Sequence, residues 1–128
     1  MAETISKQRL LEQKRAAHAY KAVTEAKGKK DKELKSLARN APASIQSNGL
    51  GQTLAFWKAK KEEHHQILYS ALSDWLKEQH VFEDGDLLEW IATEATSLQY
   101  RQATAEALAY LNWYKRFAEV ELPDPKEE

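Results

Sequence analysis

Four histidines, His18, His64, His65 and His80, are the side chains in this 128-residue sequence best able to bind a metal or pass a proton near neutral pH. Cysteine is absent, which excludes disulfides, thiol nucleophiles and thiolate-bound zinc or iron–sulfur centres. His64 and His65 are adjacent, and neighbouring positions on a helix diverge by about 100°, the wrong arrangement for joint chelation. No His-x-x-x-His pair occurs, and no carboxylate-x-x-His pair has a visible second partner, so structural or surface histidines and no metal are expected. A serine nucleophile would need a setting such as Gly-x-Ser-x-Gly, which is missing. The carboxylate pairs Glu62-Glu63 and Asp84/Asp86 lie in polar runs that would not raise a carboxyl pKa; they read as caps and solvated faces. Asn48-Gly-Leu-Gly51 lacks the third glycine, the preceding strand and the Gly-Lys-Ser/Thr ending of a nucleotide loop. It reads instead as a helix–helix corner. A nuclease or hydrolase would have to rest on Glu62, Glu63 and His64, for which no ligand geometry is apparent. No catalytic residue, metal or cofactor is assigned.

What remains is positive charge interleaved with aromatic rings. Phe56-Trp57-Lys58-Ala59-Lys60-Lys61 holds three lysines and no acid, Trp113-Tyr114-Lys115-Arg116-Phe117 is a second cluster, and Tyr100-Arg101 a third. Ordinary amphipathic packing would give the same pattern, with rings in the core and lysines reaching outward. The net charge of −1 conceals a division along the chain. Residues 1–61 carry 14 Lys/Arg against 5 Asp/Glu, a formal +9. Residues 62–128 carry 5 against 15, a formal −10. Three readings follow: solvated faces that attract one another, a basic face for a polyanion, or stacking of acidic end on basic end. The pI of about 6.4 argues against a free-standing nucleic-acid binder, but not against a subunit whose basic strip works inside a larger complex.

The elements that must position these residues are helical. Alanine (19) and leucine (15) far outnumber valine (3) and isoleucine (4), and only 4 glycines and 3 prolines interrupt the chain. The predicted architecture is an all-α bundle of about six helices, with short connections that make neighbours antiparallel. The first helix spans Thr4 to Lys27, with Ile5, Ala16, Ala19, Tyr20 and Val23 inward and Lys7, Lys14 and Lys21 on another side. A short second helix runs from Asp31 to Asn40 and breaks at Asn40-Ala-Pro42. Others follow over Leu50–Lys61, Glu62–Gln79 and, behind an Asp86…Glu89 capping box, to Ala92. The last begins behind Thr93 or Thr96 and reaches about Val120. Tyr110, Trp113 and Phe117 widen its apolar face, which places it centrally or at an interface. Residues 1–122 are expected to form one domain, and 123–128 a disordered acidic tail. No apolar stretch approaches the ~20 residues of a membrane span. The N-terminus lacks a signal-peptide core, and the absence of cysteine fits the cytoplasm.

The sequence also resembles a known family. Asn48-Gly-Leu-Gly-Gln-Thr-Leu-Ala-Phe56 is similar to that family's central element. Tyr100 to Trp113, continued by Lys115-Arg-Phe-Ala118, resembles its C-terminal element, and Arg15-Ala16-Ala17 matches a motif in the first helix. The family is the small α-helical subunit of the Cmr complex, the type III-B CRISPR effector. The resemblance implies a non-enzymatic antiviral role. Such subunits stack in a filament beside the backbone subunits that carry the CRISPR RNA, and together they form a groove where target RNA pairs with the guide. Cleavage would belong to the neighbouring backbone subunit. On this reading Arg15, Arg101 and Arg116, which lie in the matching motifs, are candidates for RNA-facing or subunit-facing charge. Lys14, Lys21, Lys58, Lys60 and Lys61 join them on composition alone. Arg101 has the alternative of pairing with Glu106 inside the fold. Trp90, Trp113 and Phe117 are candidate subunit contacts, and a protein-binding adaptor that never touches RNA is the competing function.

Overall fold

Helix-forming segments punctuated by a few glycines and polar caps give six α-helices in a computed structural model that describes residues 2–123, with side chains from residue 6. They are α1 (Ala2–Ala26), α2 (Asp31–Asn48), α3 (Leu50–Lys60), α4 (Glu63–Glu78), α5 (Leu87–Thr93) and α6 (Ser97–Glu121). Residues 124–128, most of the expected tail, and the side chain of Ile5 lie outside the described residues.

Local chemistry sets the boundaries. Thr96, not Thr93, opens α6: its hydroxyl accepts from Gln99 N–H while the Gln99 side chain accepts from Thr96 N–H, a reciprocal capping box. At α5 the Asp86 carboxylate accepts from Glu89 N–H. Gly49, at φ +88°, separates α2 from α3, a conformation that costs glycine little.

The expected break at Asn40-Ala-Pro42 is absent: α2 runs straight through Pro42. Proline removes one backbone donor and crowds the carbonyl four residues back. Two side chains bond back to carbonyls of the same stretch, Asn40 Nδ2 to Ser36 O and Ser44 Oγ to Asn40 O, each at 3.0 Å. Ala38, Ala41, Pro42 and Ile45 are all buried together, and this burial outweighs the lost bond.

Pairings between helices fix their directions. Arg15 meets Glu106, His18 meets Tyr110 and Lys27 meets Glu121, so α1 and α6 run parallel. Lys35 near the start of α2 reaches Leu122 past the end of α6, so α2 runs against them. The expectation of antiparallel neighbours concerns helices joined by short connections, and α1 and α2 meet it; α1 and α6, the first and last helices, meet in parallel without a direct connection. α6 packs on α1, α2 and α4; Ala103, Ala107 and Ala118 let these helices approach closely. Between them Trp75 stacks on Tyr110 with ring centroids 5.6 Å apart, beside buried Tyr114. Tyr20, expected inside, is exposed against the edge of Phe117.

Candidate functional site

The basic residues predicted to act together divide into three settings. At the first, α1 carries Lys14 and Lys21 along a groove also lined by His18, Glu25, Asp74 and Glu78. His18 bridges this groove: Nδ1 lies 2.7 Å from the Tyr110 hydroxyl and Nε2 2.7 Å from Asp74 Oδ2. The two lysines thus face a mixed surface rather than an uninterrupted positive strip.

The second setting lies where α1 and α6 meet. Arg15 is only 16% exposed and donates to both oxygens of Glu106, at 2.6 and 2.8 Å, and to Glu12 at 3.0 Å. These bonds, Glu106 first, hold the guanidinium above its ordinary pKa and commit its charge internally. Glu106 also accepts from Trp75 Nε1 at 2.9 Å. The alternative pairing of Arg101 with Glu106 is therefore not made: five residues turn a helix by about 140° from alignment, and Arg101 is exposed on another side. Arg116 shares a shallow depression with Glu12, Arg15, Asn112 and Trp113. Neither Arg101 nor Arg116 has an ion pair among the described residues. Trp113 stacks on Phe117 at 5.6 Å, Tyr20 meets Phe117 edge-on at 5.3 Å, and Trp113 Nε1 donates to Glu12 at 3.2 Å. The two α6 rings are half-buried, so this aromatic face reaches solvent. Trp90 does not belong with them. It is 9% exposed and packs at 5.9 Å from Phe82, which makes it a core ring rather than an interface one.

The third setting is the end of the bundle where the α1–α2 and α3–α4 connections come together at the start of α4. Lys29 shares a depression with Glu63 and Gln66, and the start of α2 shares another with His64. Lys27, Lys29, Lys30, Lys60 and Lys61 are exposed in or beside these two connections, although Lys27 lies 3.7 Å from Glu121 and the depression at Lys29 is also lined by Glu25 and Asp74. Lys61 takes the left-handed conformation, φ 57°, that closes α3, and Lys60 lies over the Phe56 ring at 5.1 Å. Lys58 departs from the group. Its ammonium is 3.0 Å from Asp86 and lies over the Tyr69 ring, while the Tyr69 hydroxyl donates to Asp86 and accepts from Leu88 N–H. Burial pushes the Asp86 carboxyl up, but the bonds from Tyr69, Lys58 and Glu89 prevail and hold it below its usual value.

Two features escape a reading of the sequence. Lys35, one of the basic charges of the first half, is 7% exposed, and its Nζ donates to Leu122 O at 2.9 Å. It ends α6 from the neighbouring helix, as a cation at a C-terminus should. His64 and His65 do not diverge: their ring centroids are 4.3 Å apart. The 100° of helix rotation separates their Cβ atoms, and side-chain torsions bring the rings back together. His65 is 6% exposed, and burial, with the neighbouring His64 charge, pushes its pKa down. Among the described residues no helix is long and apolar enough to cross a membrane.

Comparison with known proteins adds three findings. The family described as CRISPR-associated protein (Cas_Cmr5) matches residues 11–121. The "CRISPR system Cmr subunit Cmr5" of Thermus thermophilus is 37% identical over 106 residues, covering 82% of this chain and 90% of that one. A crystal structure of a CRISPR-associated Cmr5 family protein from the same organism superposes with a TM-score of 0.76 at 35% identity. That match covers 88% of this chain and 97% of the other.

Proposed function

The chain belongs to the Cmr5 family, subunits of the type III-B CRISPR system that assemble with other Cmr subunits, and from that premise we propose that it is a non-catalytic block lining the target-RNA groove. The carrying observation is that Lys29, Lys30, Lys60 and Lys61, in or beside the α1–α2 and α3–α4 connections at one end of the bundle, are exposed and make no ion pair among the described residues. Exposed cations of this kind hold a nucleic-acid backbone by charge and counterion release, without reading sequence. Arg101 and Arg116 extend the reading to α6, whereas Arg15 and Lys58 act as internal struts. The non-catalytic part is supported by the carboxylates that lie nearest rings and cations. Asp86 and Glu106 are each engaged by several donors in holding helices together. Copies stack acidic surface on basic end beside the guide-bearing backbone subunit, in the cytoplasm where such RNA is found.

The test is target-RNA retention by the assembled complex carrying Lys60→Glu and Lys61→Glu in this subunit. Losing two phosphate contacts should flatten the log–log salt dependence of binding by about 1.4, at about 0.7 per contact for a single strand. Unchanged retention and unchanged slope would overturn the groove-lining role. The half-exposed Trp113–Phe117–Tyr20 face favours a second reading, a protein-only adaptor. It is distinguished by the same complex: Trp113→Ala would release the subunit, while the lysine reversals would leave RNA binding intact.

A further inference from the structure

We propose that Glu62, His64 and His65 bind one divalent transition-metal ion of the zinc class, through two imidazoles and a carboxylate. Donor atoms from the three residues lie within 4.8 Å of one another. The independent sign of a ligand is His65 itself. Its side chain is more than nine-tenths buried, its Nδ1 has no hydrogen-bond partner among the described residues, and that nitrogen lies 3.9 Å from Glu62 Oε1. Buried polar atoms in native proteins are almost always satisfied, and an orphan calls for a water or an ion.

The local fold presents these groups together. Lys61 adopts φ 57° and Glu62 is extended, a turn that sets the Glu62 carboxylate beside the first turn of α4. The Phe56 ring meets His65 edge-on at 6.3 Å and limits how that imidazole can rotate. Donor atoms around tetrahedral zinc stand about 3.3 Å apart, given bonds near 2.0–2.1 Å. Exposed Glu62 and half-exposed His64 have the freedom to close by about an ångström while His65 stays fixed. Two nitrogen donors select zinc, nickel or cobalt over magnesium or calcium, which take oxygen. The positive end of α4 opposes a cation here, and the carboxylates of Glu62 and Glu63 offset it. His64 also lines a depression with Lys32, Glu33, Ser36 and Asn40.

The experiment titrates the untagged, metal-stripped full chain with Zn2+ by calorimetry, and with Co2+ by visible absorption. One equivalent should bind, and cobalt should give the d–d bands of nitrogen ligation. His64→Ala and Glu62→Gln, both away from the core, should each weaken binding at least about tenfold, the lower end of what even outer-sphere partners cost. Asp74→Asn, in the separate His18–Asp74–Glu78 cluster, should change nothing. Absence of binding up to millimolar zinc would leave water as the partner of His65 and overturn the proposal. So would binding that follows Asp74 rather than His64.

Discussion

Glu106 gathers Arg15 from α1 and Trp75 from α4 onto the centre of α6, and nothing local in the sequence hints at it. Arg15 lies 91 positions away, and the nearer Arg101 is the pairing that sequence reasoning considers. Helical spacing governs partners three or four apart; it says nothing of partners brought together by tertiary packing. The same limit applies to Lys35, whose charge looks like surface until α6 is seen to end on it, and to Trp90. It applies also to the orphaned nitrogen of His65, since composition cannot report a missing bond. Replacing Glu106 by alanine would leave the Arg15 guanidinium with exposed Glu12 alone and strand the Trp75 indole N–H in a largely buried position. The cost of a broken buried pair, moderated by residual solvent access, gives an expected loss of about 2–3 kcal/mol. Urea unfolding would show it as a lower midpoint with an unchanged slope. An unmoved midpoint would mean that Arg15 and Trp75 find other acceptors.

Helix existence and most boundaries are legible in the sequence, because helix formers, caps and apolar spacing agree over long segments. Pro42 misleads, since its local preference is overridden by burial with Ala38, Ala41 and Ile45. The parallel contact of α1 with α6 is illegible for a different reason: connection length constrains neighbours in sequence, and these two are the first and last helices. The Asn48–Gly51 corner reads as architecture from its residues, and the fold supplies the reason. Gly49 combines φ +88° with a site where a Cβ would come 3.2 Å from the Tyr100 hydroxyl. At Gly51 the nearest atom would be a comfortable 3.5 Å away, and its N–H donates to the same hydroxyl at 3.1 Å. The two glycines of one motif therefore respond oppositely. Gly49→Ala should cost about 1–3 kcal/mol through backbone strain, and Gly51→Ala should be neutral or slightly stabilising, since alanine favours the helix by up to about 1 kcal/mol. Thermal unfolding of the two variants would decide it, and equal destabilisation would contradict this account of the corner.

Across the whole molecule, the basic and acidic halves of the chain pair with each other at several points. Their folding together spends part of each charge on the other: Lys58 on Asp86, Arg15 on Glu106 and Lys27 on Glu121. Such internal pairing is the first of the three readings of the division, faces that attract one another, and part of the asymmetry is explained by it. A remainder persists, because Lys29, Lys30, Lys60 and Lys61 make no ion pair among the described residues, and exposed Glu83, Asp84 and Glu94 flank α5 while exposed Glu89 lies on it. Two unlike patches on one molecule would attract copies of it head to tail, and such an interface, where it does not close on itself, propagates. The attraction must be weak in the free chain, since exposed pairs contribute at most about 1 kcal/mol each. It must also fade once the Debye length falls from about 30 Å at 0.01 M salt to about 10 Å at 0.1 M. Sedimentation velocity at low salt should accordingly show a coefficient that rises with protein concentration, and the rise should vanish at a few tenths molar salt. Lys29→Glu with Lys30→Glu should abolish it at any salt. A concentration-independent coefficient at low salt would mean that the residual polarity does not stack free copies, leaving any filament to be held by the partner subunits alone.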